Sequence, residues 1–125
     1  MYGGELLYTA LNISAITSGL DLYNTAPALF NDSLLPSDFV GQKSINFYLS
    51  APFDAANDAL IYTFIVNCRA QTYGESMTIA QNVINNINRK NFPDYFIICS
   101  LQQTISPRDE QDNYNTPVEI TLKAR

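Results

Sequence analysis

Three groups of residues in this sequence have the types and the closeness that chemistry needs. Asp109, Glu110 and Asp112 stand beside Arg108 in the one acidic cluster. Carboxylates this close could hold a calcium ion, but such a site takes six or more oxygens on a fixed loop, usually with a glycine at its sharp turn. The stretch SPRDEQDNYN has no glycine and matches no standard calcium loop. Paired carboxylates could also hydrolyse a glycoside, which requires a defined separation across a cleft. Nothing else in the sequence points to one. The stretch reads as a solvated loop tip or a subunit contact, and no metal or cofactor is expected.

The second group is TYGESM, residues 72–77, between a run that alternates like a strand and a run that repeats like a helix. Strand-to-helix turns can bind anions, yet the single glycine, Gly74, does not make a phosphate loop. A structural reading accounts for the turn instead. Thr72 and Glu75 form a capping box, in which the hydroxyl accepts from the backbone N–H of Glu75 and the carboxylate reaches back to the N–H of Thr72. Glu75 also suits the positive end of the helix dipole.

Cys68 and Cys99 form the third group, each inside an apolar, strand-like run and without a CxxC partner. They read as small buried hydrophobes. A disulfide between them requires their strands to pair in the right register. There is no histidine. That removes the commonest general base, the Ser-His and Cys-His nucleophile pairs and His-containing metal sites. No enzyme is expected.

The elements that carry these residues fit one domain, 1–125. Hydrophobic residues make up 46% of the chain and charged residues 15%, a folded composition whose polar surface is largely neutral Asn, Gln, Ser and Thr. Such a surface suits a subunit partly covered by neighbours. The net charge is −5 with seven scattered Lys and Arg, which disfavours gripping nucleic acid. The N-terminal stretch MYGGELLYTALNISAI has no basic region and carries Glu5 early, so no leader is expected. No apolar run reaches the roughly 18 residues of a membrane span. Two glycosylation triplets, at Asn12 and Asn31, carry no meaning without secretion.

Glu5 to Thr17 is expected to be one helix, held from an earlier start by Gly3-Gly4 and stopped by Ser18-Gly19. Residues 20–38 form an irregular apolar arm, broken by Pro27 and Pro36, that packs on its own core or on a neighbouring subunit. KSINFYL, 43–49, is a strand, SAPFDAAND, 50–58, a turn region, and 59–71 a long strand with Leu60, Tyr62, Phe64, Val66, Cys68 and Ala70 facing the core. The opposite face starts apolar and ends polar, as if half covered. Met77, Ala80, Ile84 and Ile87 mark the buried face of the second helix, flanked by Ile79 and Val83, with Arg89 and Lys90 in its last turn. Tyr95 to Ile105 and Thr116 to Ala124 make a second hairpin around a polar loop. The expected fold is α+β: a mainly antiparallel sheet of four to five strands with two helices on one face. Among the 15 aromatic residues, Tyr23, Phe30, Phe39 and Phe53 fall in loops, where aromatic side chains often anchor contacts.

The order of parts resembles the tail-terminator (tail-completion) proteins of long-tailed bacteriophages. The likeness lies in the N-terminal helix followed by the apolar arm from Tyr23 to Pro36, in the strand running into a capped helix, IYTFIVNCRAQTYGESMTIAQNVINNI, and in the closing pair SLQQTI and TPVEITLKA. It covers most of the chain from Tyr8 on. The SAPFDAAND loop and the Asn-rich helix depart from the pattern. The resemblance implies a structural virion protein assembled in the host bacterial cytoplasm. It implies a hexameric ring on the finished tail tube that stops polymerisation and offers the head, through its neck proteins, a surface to join. DNA would pass through the lumen unbound, and the family has no catalytic residues or cofactor to carry over. Exposed-loop logic then places subunit contacts at Tyr23, Leu29, Phe30 and Leu35 of the arm, at Phe53 of the first hairpin loop, and at Arg108, Asp109, Glu110 and Tyr114 of the second. On that reading, replacing Phe30 and Leu35 by Asp leaves a folded monomer without a ring.

Overall fold

The structure is a computed structural model that describes residues 3–56, 59–93, 95–101 and 114–124. Two helical segments come first, α1 (Gly3–Leu11) and α2 (Ser14–Thr17). Three two-residue strands follow, β1 (Leu22–Tyr23), β2 (Ala26–Pro27) and β3 (Leu29–Phe30). The long strands β4 (Ser44–Ala56) and β5 (Ala59–Ala70) precede α3 (Tyr73–Ile87), and β6 (Tyr95–Leu101) and β7 (Tyr114–Ala124) close the chain. The main sheet has the order β3-β4-β5-β7-β6, antiparallel except for the parallel β3–β4 pair. The fold is therefore α+β. Helix α3 lies across β5, β7 and β6, and α1 lies against β7 and α3.

Alternation builds the sheet's inner face. Ile45 and Phe47 of β4, Phe64, Val66, Cys68 and Ala70 of β5, Val118, Ile120 and Leu122 of β7 and Ile97 of β6 are all buried. Leu7, Leu11, Ile16, Ile79, Val83 and Ile87 meet them from the helices. Burying such side chains stabilises the fold by roughly 1.5–3 kcal/mol each before conformational entropy is charged against it.

The expected first helix is split. Ile13 is extended, with φ −123° and ψ 149°, between α1 and α2. The break has a packing reason. Ile16 lies five residues beyond Leu11, about 140° away around a continuous helix, yet both are buried. Gly3 and Gly4 do not delay the start; they form the first turn of α1. A Cβ on Gly4 would sit 2.9 Å from the Asn31 side chain, so glycine here admits the arm.

The first hairpin also differs from expectation. The SAPFDAA stretch continues β4 as a strand, with register shifts at Leu49/Ala51 and Ala51/Asp54. Pro52 is tolerated because β3 pairs only with Ile45 and Asn46, leaving this part of β4 at the sheet's edge. At the other end, β7 begins at Tyr114, two residues earlier than expected, because Tyr114 and Asn115 pair with Ala70 and Arg69. The SPRDEQD segment lies outside the described residues.

Helix α3 buries Ser76, Ile79, Ala80, Val83 and Ile87, while Met77 and Ile84 flank that face half-exposed. The face is rotated from the expected one because the Ser76 hydroxyl finds a buried partner, hydrogen-bonding to the hydroxyl of Thr116 on β7. An apolar-periodicity reading passes over such a residue. Arg89 and Lys90 lie just past the helix, Arg89 in a left-handed conformation with φ 57°.

The helix N-terminus is capped at Thr72. Its hydroxyl accepts from the Glu75 N–H at 3.2 Å and donates to Glu75 Oε1 at 2.9 Å. The Glu75 carboxylate therefore takes the Thr72 hydroxyl proton rather than the Thr72 N–H, and its other oxygen lies 3.2 Å from Lys43 Nζ. Thr72→Ala is expected to lower stability by about 1 kcal/mol, measured as a shift in urea midpoint at unchanged slope. A midpoint equal to that of the parent chain would show that water caps α3 equally well.

Candidate functional site

Strand register settles the cysteines. Cys68 stands opposite Thr116 and Cys99 opposite Ile120 on β7, and both are free thiols. Burial pushes the Cys99 thiol up to about 12 and raises that of Cys68 as well, so neither is a poised nucleophile. Among the described residues no group of three or more His, Cys, Asp or Glu is gathered for a metal. No helix among them is long and apolar enough to cross a membrane. The turn at Thr72 is occupied by its own cap. Among the described residues, the three most exposed large hydrophobic side chains, Leu22, Leu34 and Val40, lie in the arm.

The arm is a closed loop with a tied neck. Asp21 N donates to Lys43 O at 2.8 Å, and Asp21 Oδ2 accepts from Gln42 N at 2.6 Å and Lys43 N at 2.9 Å. Gly41 sits beside this clamp, where a Cβ would come within 2.7 Å of the Phe39 ring and 3.0 Å of the Asp21 Cβ. Only glycine lets the neck close so tightly. Beyond the neck, β1 and β2 form a small hairpin whose tip residues, Asn24 and Thr25, have φ of 49° and 69°. Two successive positive values are those of a hairpin turn of the primed type. The chain then joins the main sheet as β3, where Ile45 N donates to Ala28 O at 2.9 Å. Past β3, Asn46 Nδ2 donates to the carbonyls of Asp32 and Ser33 at 3.1 and 3.4 Å.

Tyr23, Phe30 and Phe39 give the arm a small core of its own. Their rings meet edge to face, with centroids 5.5, 5.6 and 6.1 Å apart. The Tyr23 hydroxyl donates to Asp38 Oδ1 at 2.7 Å, which holds its proton more tightly than usual. With the aromatic side chains turned inward, aliphatic ones face out. Leu22 is 68% exposed, Leu34 75% and Val40 96%. A groove of about 450 Å³ runs along Leu29, Phe30, Asn31, Asp32, Leu35 and Pro36.

The expected contact residues thus have different fates. Tyr23, Phe30 and Leu35 come together in the arm. Leu29 is buried in the chain's own core, so its side chain is not free for a neighbour. Phe53 belongs to strand β4 rather than a loop, and its side chain lies outside the described residues, as do Arg108, Asp109 and Glu110. Tyr114 opens β7 and meets Tyr73 edge to face at 6.5 Å, beside the start of α3. Sequence reasoning missed Val40, a lone aliphatic between Phe39 and Gly41. It also missed Asp21, whose partners lie more than 20 residues away and leave no local signal.

The Asp21 carboxyl is held below its ordinary value of 3.8, first by the Lys43 N–H and then by the Gln42 N–H, against the opposing effect of burial. Glu75 is lowered too, by the Thr72 hydroxyl and by Lys43. A carboxylate with a depressed value contributes stability above its unfolded pKa and loses it as pH falls through its folded one. Acidification below about 3.8 is therefore expected to loosen the neck, read as faster amide exchange across the arm. Asp21→Asn should loosen it at neutral pH and remove that dependence. An arm protected equally in both chains across this range would show that the clamp does not hold it.

No protein-family model matches this sequence, and no curated protein matches it. A solved structure does share the fold. It is a chain from the virion of native gene transfer agent (GTA) particle, with a TM-score of 0.61 at 10% sequence identity. The likeness covers 99% of this chain and 98% of the virion chain, so it extends over helices, arm and sheet alike. At this identity it speaks for the fold.

Proposed function

We propose that this chain is a structural virion protein: a tail terminator whose copies form a hexameric ring on the tail tube, stop its polymerisation and present the surface to which the head joins. The observation that carries the reading is the full-length likeness to a virion chain. The exposed aliphatic arm supports it, because scattered surface aliphatics are ordinary while three on one clamped loop, Leu22, Leu34 and Val40, suit a contact. Its partners are then other copies of itself, the tail tube protein and a neck protein. DNA passes through the lumen without specific binding, and no catalytic step is involved. Assembly takes place in the cytoplasm of the bacterial host.

The test is electron microscopy of lysates from a phage with this gene disrupted. Tails of uncontrolled length beside separate filled heads are expected. Tails of normal length beside leaking or empty heads would move the protein to head closure in the neck, and intact infectious particles would remove it from the virion altogether.

A further inference from the structure

We propose that the acidic, apolar arm of one copy docks on the basic edge beside β6 of the next; this deepens the ring reading above and rests on it. Residues 20–42 hold three carboxylates, Asp21, Asp32 and Asp38, and no Lys or Arg. Asp32 and Asp38 are exposed, as are Leu22, Leu34 and Val40. The arm enters the sheet through β3, the first strand in the order, whereas β6 is the last. Four strand spacings separate them, about 19 Å.

The β6 edge has the opposite charge. After α3 the chain doubles back along β6: Asn88 Oδ1 accepts from Cys99 N at 2.8 Å, Arg89 N donates to Ile97 O at 2.8 Å, and Phe92 N donates to Tyr95 O at 2.9 Å. That strip delivers Arg89 and Lys90 to the edge, both exposed. Lys123, also exposed, pairs with Phe96 at the same corner. Half-buried Phe92 and Phe96 supply apolar surface between the charges, and Lys90 Nζ lies 5.4 Å from the Phe92 ring centre. The other two described cations lie elsewhere, Lys43 with Glu75 at the arm's neck and Arg69 on β5 in mid-sheet. Asp94, an acid in the same stretch, lies outside the described residues.

The arm and this edge therefore complement one another in charge while both offer apolar area. Complementary charge steers two copies together and fixes their register, while the apolar area contributes affinity. The patches differ and lie on opposite edges, so the contact is heterologous, the kind that closes into a ring when the rotation per copy permits. Because the 88–92 strip already occupies β6's outer edge, the contact is made by side chains and not by strand addition.

Sedimentation of the intact chain tests this against three variants: Asp32→Lys, Arg89→Glu with Lys90→Glu, and all three substitutions together. Circular dichroism first establishes that each is folded, as substitutions at exposed positions should be. The parent chain is expected to associate, and more weakly as salt rises. The arm variant and the edge variant should each lose about tenfold or more in affinity, the equivalent of one close charge pair. The combined variant should recover most of that loss. A parent chain that stays monomeric at every concentration, an edge variant that associates like the parent, or a combined variant no better than the other two overturns the contact. The same alleles are placed in the phage. Controlled tail lengths with the edge variant overturn this contact and leave the terminator reading standing. Normal tails after gene disruption, with charge-swap rescue intact, remove the terminator reading and leave the contact.

Discussion

A chain carrying Leu34→Lys and Val40→Lys is expected to fold normally and, on the ring reading, to remain monomeric under conditions in which the parent associates. Both side chains are mostly in solvent, 75% and 96% exposed, so the monomer loses little by their replacement. In an assembled copy they would lie against a neighbour. An ammonium there must be desolvated without a partner, against an edge that is itself basic, which costs several kcal/mol per site. Two such sites exceed what most contacts of moderate affinity can absorb. Phe30 and Leu35 are the less informative pair. The Phe30 ring packs on Tyr23 and Phe39, so an aspartate there would disorder the arm and confound its folding with its contact. Size-exclusion chromatography with light scattering reads the outcome directly. A ring from the Leu34/Val40 double variant would place the contact away from the arm's exposed aliphatic side chains.

Phe47→Ala is expected to have the largest effect on the fold, lowering stability by about 3–5 kcal/mol. Phe47 is fully buried near the start of β4 and opposes Val66 on β5. Its ring meets Phe64 edge to face at 6.1 Å and Tyr8 of α1 at 6.4 Å, so it joins helix to sheet. Truncation removes the transfer free energy of the ring and leaves a cavity that strands paired along their length cannot close. Domains of this size hold roughly 5–15 kcal/mol in all, so the variant should unfold at a much lower urea concentration with an unchanged slope. A shift below about 1 kcal/mol would mean that α1 moves in to fill the space.

Much of the architecture was legible because it is written locally. The alternation at Phe64, Val66, Cys68 and Ala70 depends only on the two-residue period of a strand, and these residues are buried as expected. Thr72 and Glu75 lie three residues apart, so the cap needs nothing beyond one helical turn. The α+β class follows from the order of such segments. The misreadings came where a distant partner overrode local preference. SAPFDAA has the proline of a turn, yet pairing with β5 holds it extended. Ser76 looks like a surface residue until Thr116 supplies a buried partner. The outer face of β5 shows the same inversion. Its polar end was expected to be open, but Asn67 is 8% exposed, accepts from Asn115 Nδ2 at 2.8 Å, and lies beside the fully buried Asn46.

The candidate site divides along the same line. Local pattern and composition are enough to set an apolar segment near residues 20–38 apart from the regular elements, to place the thiols in apolar strands, and to show that no histidine is available for catalysis. These are properties of composition and of neighbours a few residues apart. It takes the folded chain to show that Asp21 ties the arm shut on Gln42 and Lys43, that Tyr23, Phe30 and Phe39 turn inward, and that Leu22, Leu34 and Val40 are left outside. The fold also places the arm at one edge of the sheet and Arg89 and Lys90 at the other. Strand order and loop closure join residues far apart in the chain. Their geometry is set by which surfaces can be buried together, which no local spacing encodes.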